Sequence, residues 1–114
     1  MEVNQMHFTL FSRTENLAES KELLNKIISK FPAGEIIDWG GEAYWKIEGV
    51  FESCAELKVR ISEQECKDIL KKICDIWTRY EHLSKEFLAS ETVEGGCTFF
   101  DKRIVMVIVR LGEI

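Results

Sequence analysis

The sequence predicts an α+β fold in which a mostly antiparallel sheet packs against two helices, and two observations lead to this prediction. Short segments with alternating apolar and polar residues, typical of strands with one buried face, flank two longer segments of helical periodicity. A strand-like segment leads into each helical segment, which opens with a capping signal near Asn16 or at Ser62. The 114 residues are enough for one domain, 1–114, with its own core.

The first strand and helix occupy the N-terminal third of the chain. Residues 6–13 alternate, with Met6, Phe8 and Leu10 on one face, and predict a strand. Thr14 or Asn16 caps the helix; Glu19 follows Asn16 by three positions, as in a capping box. Pro32-Ala33-Gly34 ends the helix. Its apolar stripe consists of Leu17, Leu24, Ile27, Ile28 and Phe31.

Three strands are predicted next, over 35–39, 43–52 and 55–61, with Gly40-Gly41 as a two-residue hairpin turn. This turn places Trp39 opposite Glu42 and Ile37 opposite Tyr44. One face of the hairpin is then nearly all apolar and meets the helices, whereas the other is mixed and open. The predicted helix-facing set is Ile36, Ala43, Trp45 and Ile47, and Trp45 and Phe51 are expected in the core.

The second helix opens at the capping box Ser62–Glu65. Its predicted buried stripe is Cys66, Ile69, Leu70, Ile73, Trp77 and Tyr80. In the tail, Gly95-Gly96 is a break, and Asp101-Lys102 turns a strand over 97–100 back into one over 103–111.

Residues 104–109 are apolar without alternation, which indicates a strand that is central in the sheet or covered by another chain. The predicted order is β-α-β-β-β-α-β-β. It corresponds to a two-layer α/β sandwich of ferredoxin-like character, with both helices on one face of the sheet.

Negative charge is concentrated between Glu35 and Glu56. Six acids face the single base Lys46 there, a net charge of −5 that equals the net charge of the whole chain. Large aromatic residues lie in the same stretch, and acids mixed with aromatic rings suit the binding of a basic protein, because charge steers the encounter and rings supply contact area. The predicted partner-binding residues are Asp38, Trp39, Glu42, Tyr44, Glu48 and Glu52.

Several function classes find no support in the sequence. The negative surplus on the predicted open face argues against nucleic acid, which requires Lys and Arg against its phosphates. The longest apolar run is six residues, the N-terminus carries no secretion signal, and a cytoplasmic location without membrane attachment is expected. Phosphate-binding glycine motifs and metal-ligand spacings are absent, so neither a cofactor nor a metal is predicted. The four cysteines are expected to be reduced thiols.

An enzyme is not predicted. The best candidate nucleophile is Cys97 after Gly95-Gly96, with His82 or His7 as its base, but no catalytic signature surrounds it. An enzyme of this kind would require a deep pocket.

The small acidic domain, its acid-and-aromatic surface and its lack of a catalytic motif resemble the bacterial immunity proteins of polymorphic or contact-dependent toxin systems. The resemblance implies a cognate basic toxin domain, a nuclease, whose active site the protein blocks. The alternative interpretation is a homodimeric ligand-sensing or regulatory module, in which a second chain covers the apolar run at 104–109.

Overall fold

Backbone pairing joins the strands of the protein into one antiparallel sheet. The computed structural model describes residues 2–32, 34–81, 85–91 and 98–112. Within them the elements are β1 (Glu2–Arg13), α1 (Leu17–Ile28), β2 (Glu35–Ala43), β3 (Val50–Ser62), α2 (Glu63–Ile73), β4 (Thr78–Glu81), β5 (Lys85–Ser90) and β6 (Ile104–Gly112). The sheet order is β2-β3-β1-β6-β5-β4. The predicted α+β class, with two helices and an antiparallel sheet, is confirmed for the described residues.

Both helices pack on the same face of the sheet. Alternate residues of β1, Met6, Phe8 and Leu10, are fully buried in one cluster with apolar residues of α1 and α2. The helix residues in this cluster are Leu23, Leu24, Ile27, Ile28, Cys66, Leu70 and Ile73. The buried residues that alternate along β1 and those that follow the helical period of α1 and α2 therefore pack in one core. This is compatible with a sheet layer and a helix layer.

The capping signals were predicted correctly. The Asn16 side chain, rather than that of Thr14, accepts a hydrogen bond of 2.8 Å from the backbone N–H of Glu19. The Ser62 hydroxyl accepts one of 3.1 Å from the backbone N–H of Glu65. Each bond satisfies a backbone donor that the first helical turn leaves without a partner.

The predicted turn at Gly40-Gly41 is wrong, because both glycines lie inside β2. A side chain at Gly41 would place its Cβ 2.6 Å from the Glu52 carbonyl oxygen and 2.7 Å from a methyl carbon of Leu17. Glycine is thus required where β2 runs close to β3 and under α1. The hairpin closes farther along the chain, where the N–H of Tyr44 donates to the Val50 carbonyl at 2.8 Å. Gly49, with φ +79°, takes the left-handed conformation in that loop.

This correction changes the number of strands between the helices from three to two. Ala43 now pairs with Phe51, and Glu42 with Glu52, so the predicted pairs Trp39–Glu42 and Ile37–Tyr44 do not exist. The loop over 45–49 carries Trp45 away from the helices.

The second helix is shorter than predicted, and Trp77 and Tyr80 lie beyond its end at Ile73. The Trp77 indole N–H donates to the carbonyls of Leu70 at 2.8 Å and Cys74 at 3.0 Å. The indole thus provides a donor for carbonyl groups at the end of α2 although Trp77 lies outside the helix, and its ring packs against the main core. The match of Trp77 to the helical period is therefore accidental. In the described residues three strands follow α2, whereas the predicted order has two.

The tail contains the predicted central strand. β6 lies between β1 and β5, and its residues Ile104, Val107 and Val109 join the helix-facing core. The turn at Asp101 is present, since the N–H of Ile104 donates to the Asp101 carbonyl at 3.2 Å. Of the strand predicted over 97–100, only a bridge between Phe99 and Cys74 is found in the described part; Gly95, Gly96 and Cys97 lie outside it.

Arg103 ties the turn before β6 to the first turn of α1. Its guanidinium donates to the Asp101 carboxylate at 2.8 and 3.0 Å and to Glu19 at 2.8 Å. These charge-assisted hydrogen bonds lower the pKa of Asp101 to about 2 and lower the pKa of Glu19 below its ordinary value.

A substitution at Gly41 tests the close approach of β2 to β3 and α1. Gly41→Ala is expected to lower the free energy of unfolding by about 1–3 kcal/mol, because the added Cβ meets backbone that cannot move aside. Urea unfolding measures the change. Gly49→Asn is the control, since Asn tolerates the left-handed conformation and an added Cβ has no neighbour within 4 Å there. An equal or larger loss in the control would contradict the assignment of roles to the two glycines.

Asp101 gives the fold a pH dependence whose sign follows from its lowered pKa. The folded carboxyl binds its proton less readily than the unfolded one, so its stabilisation is present above about pH 4 and is lost as the pH falls toward 2. Asp101→Asn should cost on the order of 1 kcal/mol at pH 7, after allowance for solvent screening, and less at pH 3. The control Asp68→Asn changes a carboxylate that accepts from the Gln64 amide instead. If Asp101→Asn lowered the free energy of unfolding by the same amount at pH 7 and at pH 3, the proposed link between Asp101 ionisation and stability would be wrong.

Candidate partner-binding surface

The sheet face opposite the helices, here called the open face, carries the residues that alternate with the core. From Gln5 onward the odd-numbered residues of β1 lie on it, in register with even-numbered residues of β3 and with the even-numbered residues of β6 from Met106 onward. Glu52, Phe11 and Met106 form one row across three strands, and Cys54, Thr9 and Ile108 form the next. In the part of the chain that the structure describes, both helices lie on the other side of the sheet.

An apolar cluster occupies the middle of the open face. Phe11, Val50 and Val105 are buried in it, and Tyr44, Met106 and Ile108 are half-buried against them. The rings of Phe11 and Tyr44 meet edge to face, with centroids 4.8 Å apart. Tyr44 thus holds the start of the hairpin loop on the sheet. Val105 joins this face because the register of β1 and β6 shifts between Phe11 and Ser12.

Two carboxylates stand side by side at the edge of this cluster. Glu42 of β2 and Glu52 of β3 are directly paired in register, so both side chains lie on the open face. Like charges in this position destabilise a sheet. No basic residue among those described forms an ion pair with either acid. Lys46, the one base of the acidic stretch, instead lies over the Trp45 ring at 5.2 Å.

The hairpin loop over 45–49 extends the surface with exposed apolar groups. Trp45 is 83% exposed and Ile47 is 42% exposed. Glu48, which follows Ile47, is also exposed. The expectation that Trp45 and Ile47 meet the helices is therefore wrong, because β2 ends at Ala43 and both residues fall in the loop. Phe51, expected in the core, is half-buried. An indole exposed to this extent contributes little buried apolar area to the fold of its own chain.

Trp39 and Asp38 occupy a bulge in the edge strand β2. The register with β3 shifts between Ile37 and Gly40, and Trp39 in the bulge is 40% exposed. Asp38 lies in the same bulge, and its side chain is outside the part of the chain that the structure describes.

At the other end of the open face the charges have partners within the sheet. Glu56 accepts from the Gln5 amide at 2.9 Å and lies 3.7 Å from Nδ1 of His7. Arg110 donates to Glu86 at 3.0 Å. The adjacent acids Glu42 and Glu52, which have no ion-pair partner among the described residues, lie at the hairpin end.

Of the predicted site residues, the structure brings Glu42, Tyr44 and Glu52 together and places Glu48 in the adjoining loop. Sequence reasoning missed Phe11, Met106 and Trp45 as members of the same surface. The odd-numbered residues of β1 marked a second face that included Phe11. No local pattern showed that β6 pairs beside β1, which is what brings Met106 to it.

Little in the described residues suggests covalent or metal chemistry. Cys66 is buried, and burial raises the pKa of its thiol to about 12, where it is not a nucleophile at neutral pH. Cys54, Cys66 and Cys74 are free thiols, and the described part of the chain holds no group of His, Cys, Asp and Glu placed to bind a metal ion. The candidate pair Cys97 and His82 lies outside the described residues. No described helix has the length and apolar character needed to cross a bilayer.

Comparison with protein-family models, curated proteins and solved structures gives no match.

The pairing of Glu42 with Glu52 predicts that this surface is not optimised for stability. Glu52→Gln is expected to raise the free energy of unfolding by about 0.2–1 kcal/mol at low salt, because it removes repulsion between adjacent charges. Urea unfolding at two salt concentrations should show the gain shrinking at high salt. Glu22→Gln, on the exposed side of α1, is the matched control and should change little. A loss of stability in Glu52→Gln would contradict the repulsion.

Proposed function

We propose that the protein is a binding protein that neutralises a basic toxin domain, a nuclease, by covering its active site. The observation that carries the proposal is the pair Glu42–Glu52, which has no basic partner among the described residues and adjoins the hairpin loop that carries the exposed Trp45. In the free protein the two carboxylates repel each other and the nearby indole is exposed to solvent. A partner with basic side chains and an apolar pocket would neutralise the carboxylates and cover the indole.

The acidic and the apolar residues of the surface contribute to binding in different ways in this proposal. The carboxylates Glu42, Glu48 and Glu52 steer the encounter with a cationic surface and meet its Lys and Arg side chains. Trp45 and Trp39 enter apolar pockets of the partner, since large aromatic side chains dominate interface free energies. The half-buried Met106 and Ile108 of β6 supply further apolar area on the open face.

A nuclease is the favoured class of partner because its substrate is a row of phosphates. An enzyme that binds such a substrate presents Lys and Arg around its active site. Adjacent carboxylates on a firm sheet offer those cations a substitute for phosphate, and the hairpin loop adds bulk that keeps the substrate out. No catalytic group of this chain is needed for such inhibition.

The proposal includes a finer description of the fold and a location. Four strands in the order β2-β3-β1-β6, with α1 and α2 on one face, correspond to a ferredoxin-like sandwich that the hairpin β4–β5 extends. The protein acts in the cytoplasm, where a nuclease toxin meets its substrate, and the gene for the toxin lies next to its own. The location and the neighbouring toxin gene are what the resemblance to immunity proteins implies.

A second candidate function is a homodimeric regulatory module that senses a ligand. It is favoured by the apolar residues Met106 and Ile108, which are only half-buried on a central strand. In this case a second copy covers the open face. Sedimentation velocity at micromolar concentration separates the two functions, because only the module would be a dimer without another protein present.

Binding to the toxin domain encoded by the neighbouring gene tests the proposal. The double substitution Glu42→Lys and Glu52→Lys should weaken the complex at least 100-fold by titration calorimetry and reverse the salt dependence of the affinity. Trp45→Ala should weaken it by about 10-fold to 100-fold with the salt dependence unchanged. Inhibition of nuclease activity should follow the affinities.

The matched control is Glu22→Lys with Asp68→Lys, which makes the same change in net charge at exposed positions on the two helices. It should leave the affinity within about 3-fold of the original, since its charges are remote from the open face. An equal effect of both double substitutions would show that net charge, and not this surface, governs binding.

A further inference from the structure

A cleft lies beside α2 on the helix side of the sheet, remote from the acidic hairpin. Its volume is about 170 Å³, and it is lined by Lys67, Leu70, Lys71, Trp77 and Phe87. It forms because α2 packs over β1 and β3, whereas the sheet continues past β6 to β5, which carries Phe87.

The walls of this cleft are apolar and held in place. Leu70 and Phe87 are buried members of the main core, and Trp77 packs against the same core. The indole N–H of Trp77 is fixed by its hydrogen bonds to the carbonyls of Leu70 and Cys74. The ring therefore serves as a wall whose position is set by the end of α2. A cleft of this kind needs little rearrangement to bind a ligand.

Two lysines flank the cleft and line it with their aliphatic stems, so their ammonium groups lie outside its apolar walls. Lys67 and Lys71 are four positions apart on α2, so they lie one above the other on one side of the helix. Like charges at this spacing destabilise a helix. Neither lysine has an ion-pair partner within the described residues.

We propose that this cleft binds a small carboxylic acid that bears one apolar group of about the size of a benzene ring. A cavity of roughly 150 Å³ accommodates benzene, which sets the size of the apolar group. The ring lies between Leu70, Trp77 and Phe87, and the carboxylate lies at the mouth between Lys67 and Lys71. Binding requires both parts: the ring for burial and the charge for the lysines.

Trp77 provides a direct readout. In a variant with Trp39→Phe and Trp45→Phe, Trp77 is the remaining tryptophan of the chain. Titration with 3-phenylpropanoate should shift its fluorescence in a saturable way, with a dissociation constant near ~1 mM or below. The neutral 3-phenylpropanamide and acetate are the matched probes, and each should bind at least 5-fold more weakly because it lacks one of the two parts.

Substitution of the lysines distinguishes binding at this cleft from a general electrostatic attraction of the anionic ligand to the protein. Lys67→Met with Lys71→Met should weaken the binding of 3-phenylpropanoate about 10-fold and leave that of the amide unchanged. The control Lys58→Met with Lys72→Met removes the same charge at exposed positions outside the cleft and should have no effect. Circular dichroism confirms that each variant is folded.

Four results would overturn the proposal. The acid and its amide would bind equally, the control pair would weaken binding as much as the cleft pair, or no saturable change of Trp77 would occur up to 20 mM. Self-association of the chain that the cleft pair abolishes and the control pair preserves would assign the cleft to a second copy instead. None of these results depends on the toxin complex, so the two proposals fail independently.

Discussion

The register between β2 and β3 is the constraint on which the candidate surface depends. It is possible because residue 41 has no side chain, which lets β2 lie close to the Glu52 carbonyl and beneath Leu17 of α1. This register sets Glu42 beside Glu52 and delivers Tyr44 onto Phe11. One missing Cβ in the helix-facing layer thus determines which acids meet on the opposite face of the sheet.

Some acidic side chains of the protein have a polar or basic partner, whereas those at the hairpin end do not have one among the described residues. Around α1 and β6, Arg103 joins two acids, and on the open face Glu56 and Glu86 each have a polar partner. At the hairpin end, adjacent acids lack a basic partner within the described chain and an indole faces solvent. Repulsion between adjacent acids is a cost in stability that this end of the sheet carries and the cluster around Arg103 does not.

Predictions from local chemistry succeeded more often than predictions that needed a partner strand. Asn16 and Ser62 begin helices because each side chain satisfies a backbone donor three residues away. Gly40-Gly41 was interpreted from local turn statistics, although its glycines serve a close approach to residues distant in sequence. Trp77 was assigned to a helical stripe because its spacing fits one, yet its indole caps that helix from outside. Of the site, the acids and Tyr44 could be named from the sequence, whereas Phe11 and Met106 could not be placed beside them.

The sequence by itself determined the α+β class, both helix starts, the central apolar strand and the concentration of negative charge between Glu35 and Glu56. These features arise from residues within a few positions of one another, where periodicity, capping and composition act directly. Only the tertiary structure decided the strand order, the glycine that turns the hairpin, the pairing of Glu42 with Glu52 and the exposure of Trp45. The physical reason is that a side chain's surroundings depend on which strand lies next to its own, and that choice is made by packing across the whole sheet.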